Sequence, residues 1–84
     1  MDNQIDLIRI FTAATQSASF RETATRLGTS PQVVTRAIQQ LEERLGETLF
    51  HRSTGSVRIT TFGKTFAVRA YALLQSVERY QACR

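Results

Sequence analysis

The chain has 84 residues, 42% of them hydrophobic, which is enough for one small core but excludes two domains or a deep substrate cavity. Its formal net charge is +4, which favours a polyanionic partner. The positive excess lies in residues 51–84, where six basic residues accompany a single acid, Glu78. A basic surface is therefore expected in the last third of the chain.

Several classes of protein are excluded by what the sequence contains. The only cysteine, Cys83, cannot form an internal disulfide or a cysteine metal cluster, and it suits a reducing compartment. No charge-free stretch approaches the roughly 18 apolar residues of a membrane helix, and a signal-peptide pattern is lacking. His51 has no partner at metal-ligand spacing. Neither Cys83 nor His51 has a second residue with which it could form a nucleophile–base or acid–base pair. We expect a cytoplasmic protein without catalysis, metal, cofactor or membrane association.

Two amphipathic helices are predicted before residue 30. The first has about three turns, ends near Ser17 and carries apolar residues at helical spacing: Ile5, Leu7, Ile8, Phe11 and Ala14. Ser19 followed by Glu22 fits a capping box, which starts the second helix at Phe20. Gly28 would end this helix, whose buried positions are expected to be Phe20, Ala24 and Leu27.

A third helix is predicted to begin after the N-cap Ser30, with Pro31 at its first position, where a missing N–H costs nothing. One stripe of this helix is apolar and should face the core: Val34, Ile38, Leu41 and Leu45. The Gln, Thr and Arg side chains of the opposite side are donors and acceptors that can read base edges in a major groove. This side carries Gln32, Arg36, Gln39 and Glu43, with Thr35 on its flank. Phosphate would repel Glu42 and Glu43 further on, so the N-terminal half should enter the groove.

A short helix, a turn containing Gly and a longer helix with outward polar residues are typical of the helix-turn-helix arrangement. The alternative is an ordinary three-helix core with a solvated polar face. That alternative stays open here, because modules that bind protein or RNA use the same geometry.

A small β-hairpin, or wing, is predicted next. Leu49 and Phe50 form an apolar anchor, and a Ser-Thr-Gly-Ser turn separates two short alternating runs. Val57 and Ile59 should point to one side and Arg58 to the other. With Arg52, which also flanks the tip, Arg58 would lie against phosphates or the minor groove beside the third helix. A solubilising hairpin with surface arginines is the alternative.

A last, long helix should be capped by Thr60 or Thr61. Apolar residues spaced by three and four positions form a seam along it: Phe62, Phe66, Ala70, Leu73, Val77 and Tyr80. The first three helices have already used their apolar faces, so a second copy of the chain is expected to cover the distal part of this seam. Alternatively, the helix folds back over the core through another strip: Ala67, Tyr71 and Leu74.

Several segments, in order, resemble the N-terminal domain of the LysR-type transcriptional regulators: "IRIF", "SFRETATRLGTS", "VVTRAIQQLEERLGETLFHR" and "VRITTFGK". One departure lies where the family often has Ser-Gln-Pro and this chain has Ser30, Pro31 and Gln32. The resemblance implies a bacterial transcription factor that binds an interrupted, partly palindromic, A/T-rich site in double-stranded DNA as a homodimer. It also implies a C-terminal effector-binding domain, absent from this chain, through which a small molecule would act, and a tetramer for the full-length protein.

We therefore predict a mainly α, winged helix-turn-helix DNA-binding domain over residues 1–60, with a three-helix core and a hairpin wing. A linker and dimerisation helix follows over residues 61–84. The expected base-reading residues are Gln32, Thr35, Arg36 and Gln39. The expected contacts to the DNA backbone are Ser30, Arg52, Thr54, Ser56 and Arg58. The expected dimer interface consists of Phe66, Ala70, Leu73, Val77 and Tyr80. The alternative function is a winged-helix protein-interaction module without specific DNA binding.

Overall fold

The computed structural model describes residues 4–53 and 56–82. These residues form four helices and one two-stranded antiparallel sheet, in the order α1 (Gln4–Thr15), α2 (Phe20–Leu27), α3 (Pro31–Leu45), β1 (Phe50–Ser53), β2 (Ser56–Ile59) and α4 (Thr61–Ala82). The predicted fold class, a mainly helical winged helix-turn-helix with a long last helix, is confirmed. Thr54, one of the expected contacts to the DNA backbone, lies outside the described residues.

Side-chain caps determine where α2 and α3 begin. The Ser19 hydroxyl accepts a hydrogen bond from the backbone N–H of Glu22, whose carboxylate accepts the N–H of Ala18 at 2.6 Å. Ser30 caps α3 by accepting the N–H of Val33, and the left-handed Gly28 ends α2 at φ +70°. These two caps create the tight turn between α2 and α3.

One hydrophobic core joins all four helices and the base of the wing. Phe11 of α1 lies at its centre, fully buried, with its ring centroid 5.7 Å from that of Phe50 and 5.2 Å from that of Phe66. The predicted apolar stripe of α3 enters this core, with Leu45 partly buried at its end. The wing and α4 are therefore anchored on the same residues that hold the helix-turn-helix together.

The prediction that Leu27 is buried is wrong, since this residue is 43% exposed. Leu27 is the last residue of α2, and it lines an open groove together with Ile10 and Val33. Thr23 occupies the buried position instead, and its hydroxyl donates to the carbonyl of Ser19 at 3.0 Å, so no unsatisfied polar group results.

The two faces of the wing differ in their surroundings. Phe50 pairs with Ile59, His51 with Arg58, and Arg52 with Val57; paired residues of antiparallel strands lie on the same face. Phe50, Val57 and Ile59 pack against the core, whereas His51 and Arg58 are exposed. The predicted division between Val57 and Ile59 on one side and Arg58 on the other is confirmed.

A close contact with the base of the wing fixes the start of α4. The Thr60 hydroxyl accepts the N–H of Gly63 at 2.8 Å and donates to the carbonyl of Thr48 at 2.7 Å. Thr60 is thus the N-cap of α4, and of the two predicted candidates, Thr60 and Thr61, it is the first. A Cβ atom on Gly63 would lie only 2.5 Å from the backbone oxygen of Leu49, so α4 can approach this closely because residue 63 has no side chain.

The first half of α4 packs on α1, through the strip that the sequence analysis treated as the alternative. Ala67 and Leu74 are buried, and Tyr71 shares a hydrogen bond of 2.8 Å with the hydroxyl of Thr15. Ala70 is also in this core, with 2% exposure. Its assignment to the dimer interface is therefore wrong, because α1 already covers it.

Candidate nucleic-acid interface

The outward side of α3 carries polar side chains that no protein group engages. Gln32, Arg36 and Gln39 are exposed and Thr35 is half-buried, opposite the buried stripe. Among the described residues, none of these four side chains has a hydrogen-bond or ion-pair partner. Their donors and acceptors are therefore available to a molecule outside the chain, at the end of α3 that follows the tight turn.

The acidic half of α3 contains two glutamates with different surroundings. Glu43 is exposed, as expected for a residue that phosphate would repel. The side chain of Glu42 is only 18% exposed, and its Oε2 atom accepts the backbone N–H groups of Leu49 at 2.8 Å and of Phe50 at 3.3 Å. Glu42 thus has a structural role that its sequence position did not predict, because it binds the loop that leads into the wing.

The two arginines of the wing lie on opposite faces of the hairpin. Arg58 is exposed beside His51 and has no side-chain partner in the described part of the chain. The Arg52 guanidinium lies 5.5 Å from the centroid of the Phe20 ring, and its Nη2 atom is 4.0 Å from Oε1 of Glu42. The structure therefore does not bring Arg52 and Arg58 together, and only Arg58 projects freely from the wing.

The two serines expected at the DNA backbone have defined places. Ser30 precedes Pro31 at the end of the tight turn, half-buried, with its Oγ atom accepting the N–H of Val33 at 3.3 Å. Its hydroxyl proton has no acceptor among the described residues. Ser56 begins β2, opposite Ser53 at the end of the wing. Ser30 therefore lies at the start of α3, and Ser56 lies on the wing.

Two further exposed basic residues were not among the predicted site residues. Arg21 lies in the first turn of α2 and Lys64 in the first turn of α4, and neither side chain has a hydrogen-bond or ion-pair partner among the residues that the structure describes. Helical periodicity could have identified both, because each residue is next to a core position in the sequence but lies on the outward side of its helix. The first helix of a helix-turn-helix crosses the DNA backbone, which makes Arg21 a candidate phosphate contact.

The distal part of α4 carries an apolar surface that no described residue of the monomer buries. Leu73 is 42% exposed and Tyr80 is 75% exposed, with Val77 half-buried between them. Phe66, the remaining residue of the expected dimer interface, is half-buried, and its ring stacks on Phe62 with the centroids 6.3 Å apart. The exposed seam thus reduces to three residues: Leu73, Val77 and Tyr80.

The described residues offer neither a metal site nor a membrane-spanning helix. In residues 4–53 and 56–82, no three His, Cys, Asp or Glu side chains gather where they could hold a metal ion. None of the helices in these residues combines the length and the apolar character needed to cross a membrane.

The tight turn, the exposed polar face of α3 and the adjacent wing define a winged helix-turn-helix domain. Residues 5–64 match the model of the bacterial regulatory helix-turn-helix proteins of the LysR family. The chain therefore belongs to the LysR family, and it corresponds in sequence and fold to the DNA-binding domain of LysR-type transcriptional regulators.

Named relatives and solved structures agree with this family. The chain is 40% identical over 75 residues to an uncharacterised HTH-type transcriptional regulator, y4mQ, of Sinorhizobium fredii, and 34% identical over 74 residues to the transcriptional activator IlvY of Haemophilus influenzae. These alignments cover 89% and 88% of the chain but 25% of each relative, so the chain spans about a quarter of their length.

Two structures of DNA complexes share the fold. The DNA-binding domain of BenM on its benA site 1 superposes with a TM-score of 0.87 and 32% identity, over 94% of this chain and 89% of that one. The DNA-binding domain of CbnR bound to DNA gives a TM-score of 0.89 and 28% identity, over 93% and 90% of the two chains.

Proposed function

We propose that this chain binds double-stranded DNA sequence-specifically, as the DNA-binding part of a homodimeric transcriptional regulator. The outward face of α3 carries the proposal: Gln32, Thr35, Arg36 and Gln39 have no partners in the described chain, and their amide, hydroxyl and guanidinium groups match base edges in a major groove. The likeness to BenM and CbnR, whose DNA-binding domains were solved in complex with DNA, supports DNA as the partner.

Contacts to the DNA backbone would come from residues around this face. Arg58 on the outer side of the wing and Ser30 at the start of α3 are the best placed of the expected residues, and Arg21 joins them. Ser56 at the start of β2 belongs to the same proposal, as does Thr54, which lies outside the described residues. Phosphate contacts set the register, whereas the side chains in the groove select the sequence.

A homodimer would form through the distal half of α4. Leu73, Val77 and Tyr80 form an apolar strip that a second copy could cover across a two-fold axis. Two recognition helices would then meet two half-sites about one helical turn apart or a multiple of it, which accounts for an interrupted palindrome.

The whole regulator would add functions that this chain does not carry. The family relatives are about four times as long, so we propose that a further domain binds a small-molecule effector and supports a tetramer. The relatives are transcriptional regulators, and we propose a cytoplasmic, non-enzymatic role without a cofactor for this chain as well.

Selection from a pool of random duplex DNA tests the proposal. The chain is expected to enrich one motif with two related half-sites, and a duplex carrying this motif should compete far better than a scrambled duplex. Equal competition by both duplexes would contradict specific binding. It would favour the protein-interaction alternative, for which the open groove beside Leu27 and Val33 offers apolar surface.

A further inference from the structure

Arg52 was expected to hold the DNA backbone, but its side chain contacts two other elements of its own chain, α2 and α3. The residue lies on β1, its guanidinium lies over the ring of Phe20 at the start of α2, and it approaches the carboxylate of Glu42 on α3. Its side chain is 34% exposed, which fits an amphipathic group whose stem packs and whose charge is partly compensated. The ring of Phe20 in turn meets Phe50 edge-on at 5.4 Å.

Glu42 links the same wing to α3. The two backbone N–H groups that its Oε2 atom accepts belong to Leu49 and Phe50, which immediately precede or begin β1. Its Oε1 atom is the one that faces Arg52. Hydrogen bonds to a carboxylate are stronger than those between neutral groups, so Glu42 ties the base of the wing to α3 from two directions.

The position of Glu42 on α3 makes this link relevant to DNA binding. Glu42 follows Gln39 by three residues, which is one helical turn, and Gln39 is the last of the proposed base-reading residues. Glu42 thus connects the wing directly to the recognition helix. Arg58, which pairs with His51 on the outer face, is carried by the same hairpin.

We infer that Arg52 and Glu42 are positioning residues for DNA binding: together with Phe20 they hold the wing at the angle to α3 that brings Arg58 onto a phosphate. Arg52 is on this view not itself a phosphate contact. The inference rests on the proposed DNA-binding function and replaces the role that spacing alone indicated for Arg52.

The opposite view, in which Arg52 contacts phosphate independently, gives different results in a double-mutant cycle. Affinity for the selected duplex would be measured for wild type, Arg52→Ala, Arg58→Ala and the double variant. We expect the double variant to bind no more than about twofold more weakly than the weaker single variant, because a displaced wing has already lost the Arg58 contact. Losses that multiply would overturn the inference. Arg21→Ala combined with Arg58→Ala is the control pair, and its losses should multiply.

Glutamine substitutions give a second, independent test through the sign of the effect. Removing the charge of Glu43, which is exposed, should leave affinity unchanged or raise it, because an anion near DNA is lost. Removing the charge of Glu42 should lower affinity several-fold despite the same change in net charge, because the anchor of the wing is weakened. A rise in affinity for Glu42→Gln equal to that for Glu43→Gln would overturn the inference.

Arg52→Lys keeps the test valid if the alanine or glutamine variants fold poorly. Lysine keeps the charge but lacks the planar group that stacks on an aromatic ring. A phosphate contact would survive this change with the salt dependence unaltered, whereas we expect a shallower salt dependence, as for Arg58→Ala. Circular dichroism confirms that each variant is folded. If wild type itself shows no salt-dependent duplex binding, the proposed function fails; if only the cycle and the lysine variant disagree, the positioning role alone fails.

Discussion

Three arginines have different surroundings, and the surroundings of each determine what its side chain can contact. Arg36 projects from the outward face of α3, Arg58 from the outer face of the wing, and Arg52 lies between Phe20 and Glu42. Residue type and spacing predicted which side chains are basic. The cross-strand register, which pairs Arg52 with Val57 and Arg58 with His51, separates the two wing arginines.

Arg36→Ala and Arg58→Ala should weaken DNA binding in distinguishable ways. Arg36 is proposed to contact a base, so its loss should cost roughly 1 to 3 kcal/mol at the selected site and relax the preference at one position. Arg58 is proposed to contact phosphate, so its loss should weaken all sequences alike and lower the salt slope by about 1 per protomer. Affinities across a panel of mutated duplexes separate the two; identical profiles would contradict the assignment.

Gly63→Ala should destabilise the fold although alanine is the better helix former. The added Cβ would lie 2.5 Å from the Leu49 oxygen and 2.7 Å from a side-chain carbon of Ile59. Overpacking of this kind costs about 1 to 3 kcal/mol. Because the clash is with a backbone oxygen rather than a flexible side chain, we expect the cost to outweigh the gain of about 1 kcal/mol in helix propensity. Urea unfolding measures the difference. Lys64→Ala, one residue on and exposed, is the control and should change stability by less than about 0.5 kcal/mol.

At the level of the elements, α4 serves two partners along its length. The 22 residues of α4 span about 33 Å, whereas the 12 residues of α1 span about 18 Å, so α1 cannot cover the whole length of α4. Ala67, Ala70 and Leu74 face that core, and beyond them the link to α1 is an ion pair of 3.2 Å between Arg9 and Glu78. The sequence showed two apolar strips on α4, one from Phe62 to Tyr80 and one of Ala67, Tyr71 and Leu74. Only the position of α1 showed that Ala70 belongs to the buried side.

Leu73→Glu should dissociate the proposed homodimer while the monomer stays folded. A charge buried against its symmetry mate costs several kcal/mol, and Leu73 lies outside the monomer's core at 42% exposure. Val68→Glu is the matched control, because it adds the same charge to α4 at a residue that is 70% exposed and outside the seam. Sedimentation velocity, circular dichroism and binding to a duplex with two half-sites measure the outcome.

Loss of the dimer should also weaken DNA binding, because a single recognition helix loses the effective concentration at the second half-site. A wild-type chain that is monomeric at high micromolar concentration would contradict the dimer. So would a Leu73→Glu variant that unfolds while Val68→Glu does not, since that would place Leu73 in the monomer's own core.

At the level of the whole molecule, the described basic residues of the last third are divided between the wing and α4. Arg58 on the wing and Lys64 at the start of α4 come from this region, and Arg21 comes from α2. Glu42, by contrast, is turned toward the wing and Arg52. The net charge of +4 favours a polyanionic partner.

Binding to duplex DNA should weaken steeply with added salt. If each protomer of a dimer neutralises about three phosphates, counterion release predicts about a thousandfold loss of affinity between roughly 50 and 200 mM salt. Fluorescence anisotropy with a labelled duplex measures this slope. A flat dependence over that range would count against DNA as the partner, whatever the affinity at low salt.

Local chemistry was sufficient for much of this protein. The caps Ser19 and Ser30, the position of Pro31 and the apolar stripe of α3 predicted α2 and α3, because caps and helical phase depend only on residues within a few positions. The same phase separated the polar face of α3 from its core face. The resemblance to the family could also be recognised from the sequence, because its motifs are short and occur in a fixed order along the chain.

Only the tertiary structure decided which elements meet. Leu27 is exposed because α2 ends at the rim of the core, and Ala70 is buried because α1 lies against it. Glu42 and Arg52 are ten residues apart in the chain, and their approach depends on how the wing folds back over α3. Contacts of this kind arise from packing between elements that are distant along the chain, which neither residue spacing nor helical periodicity encodes.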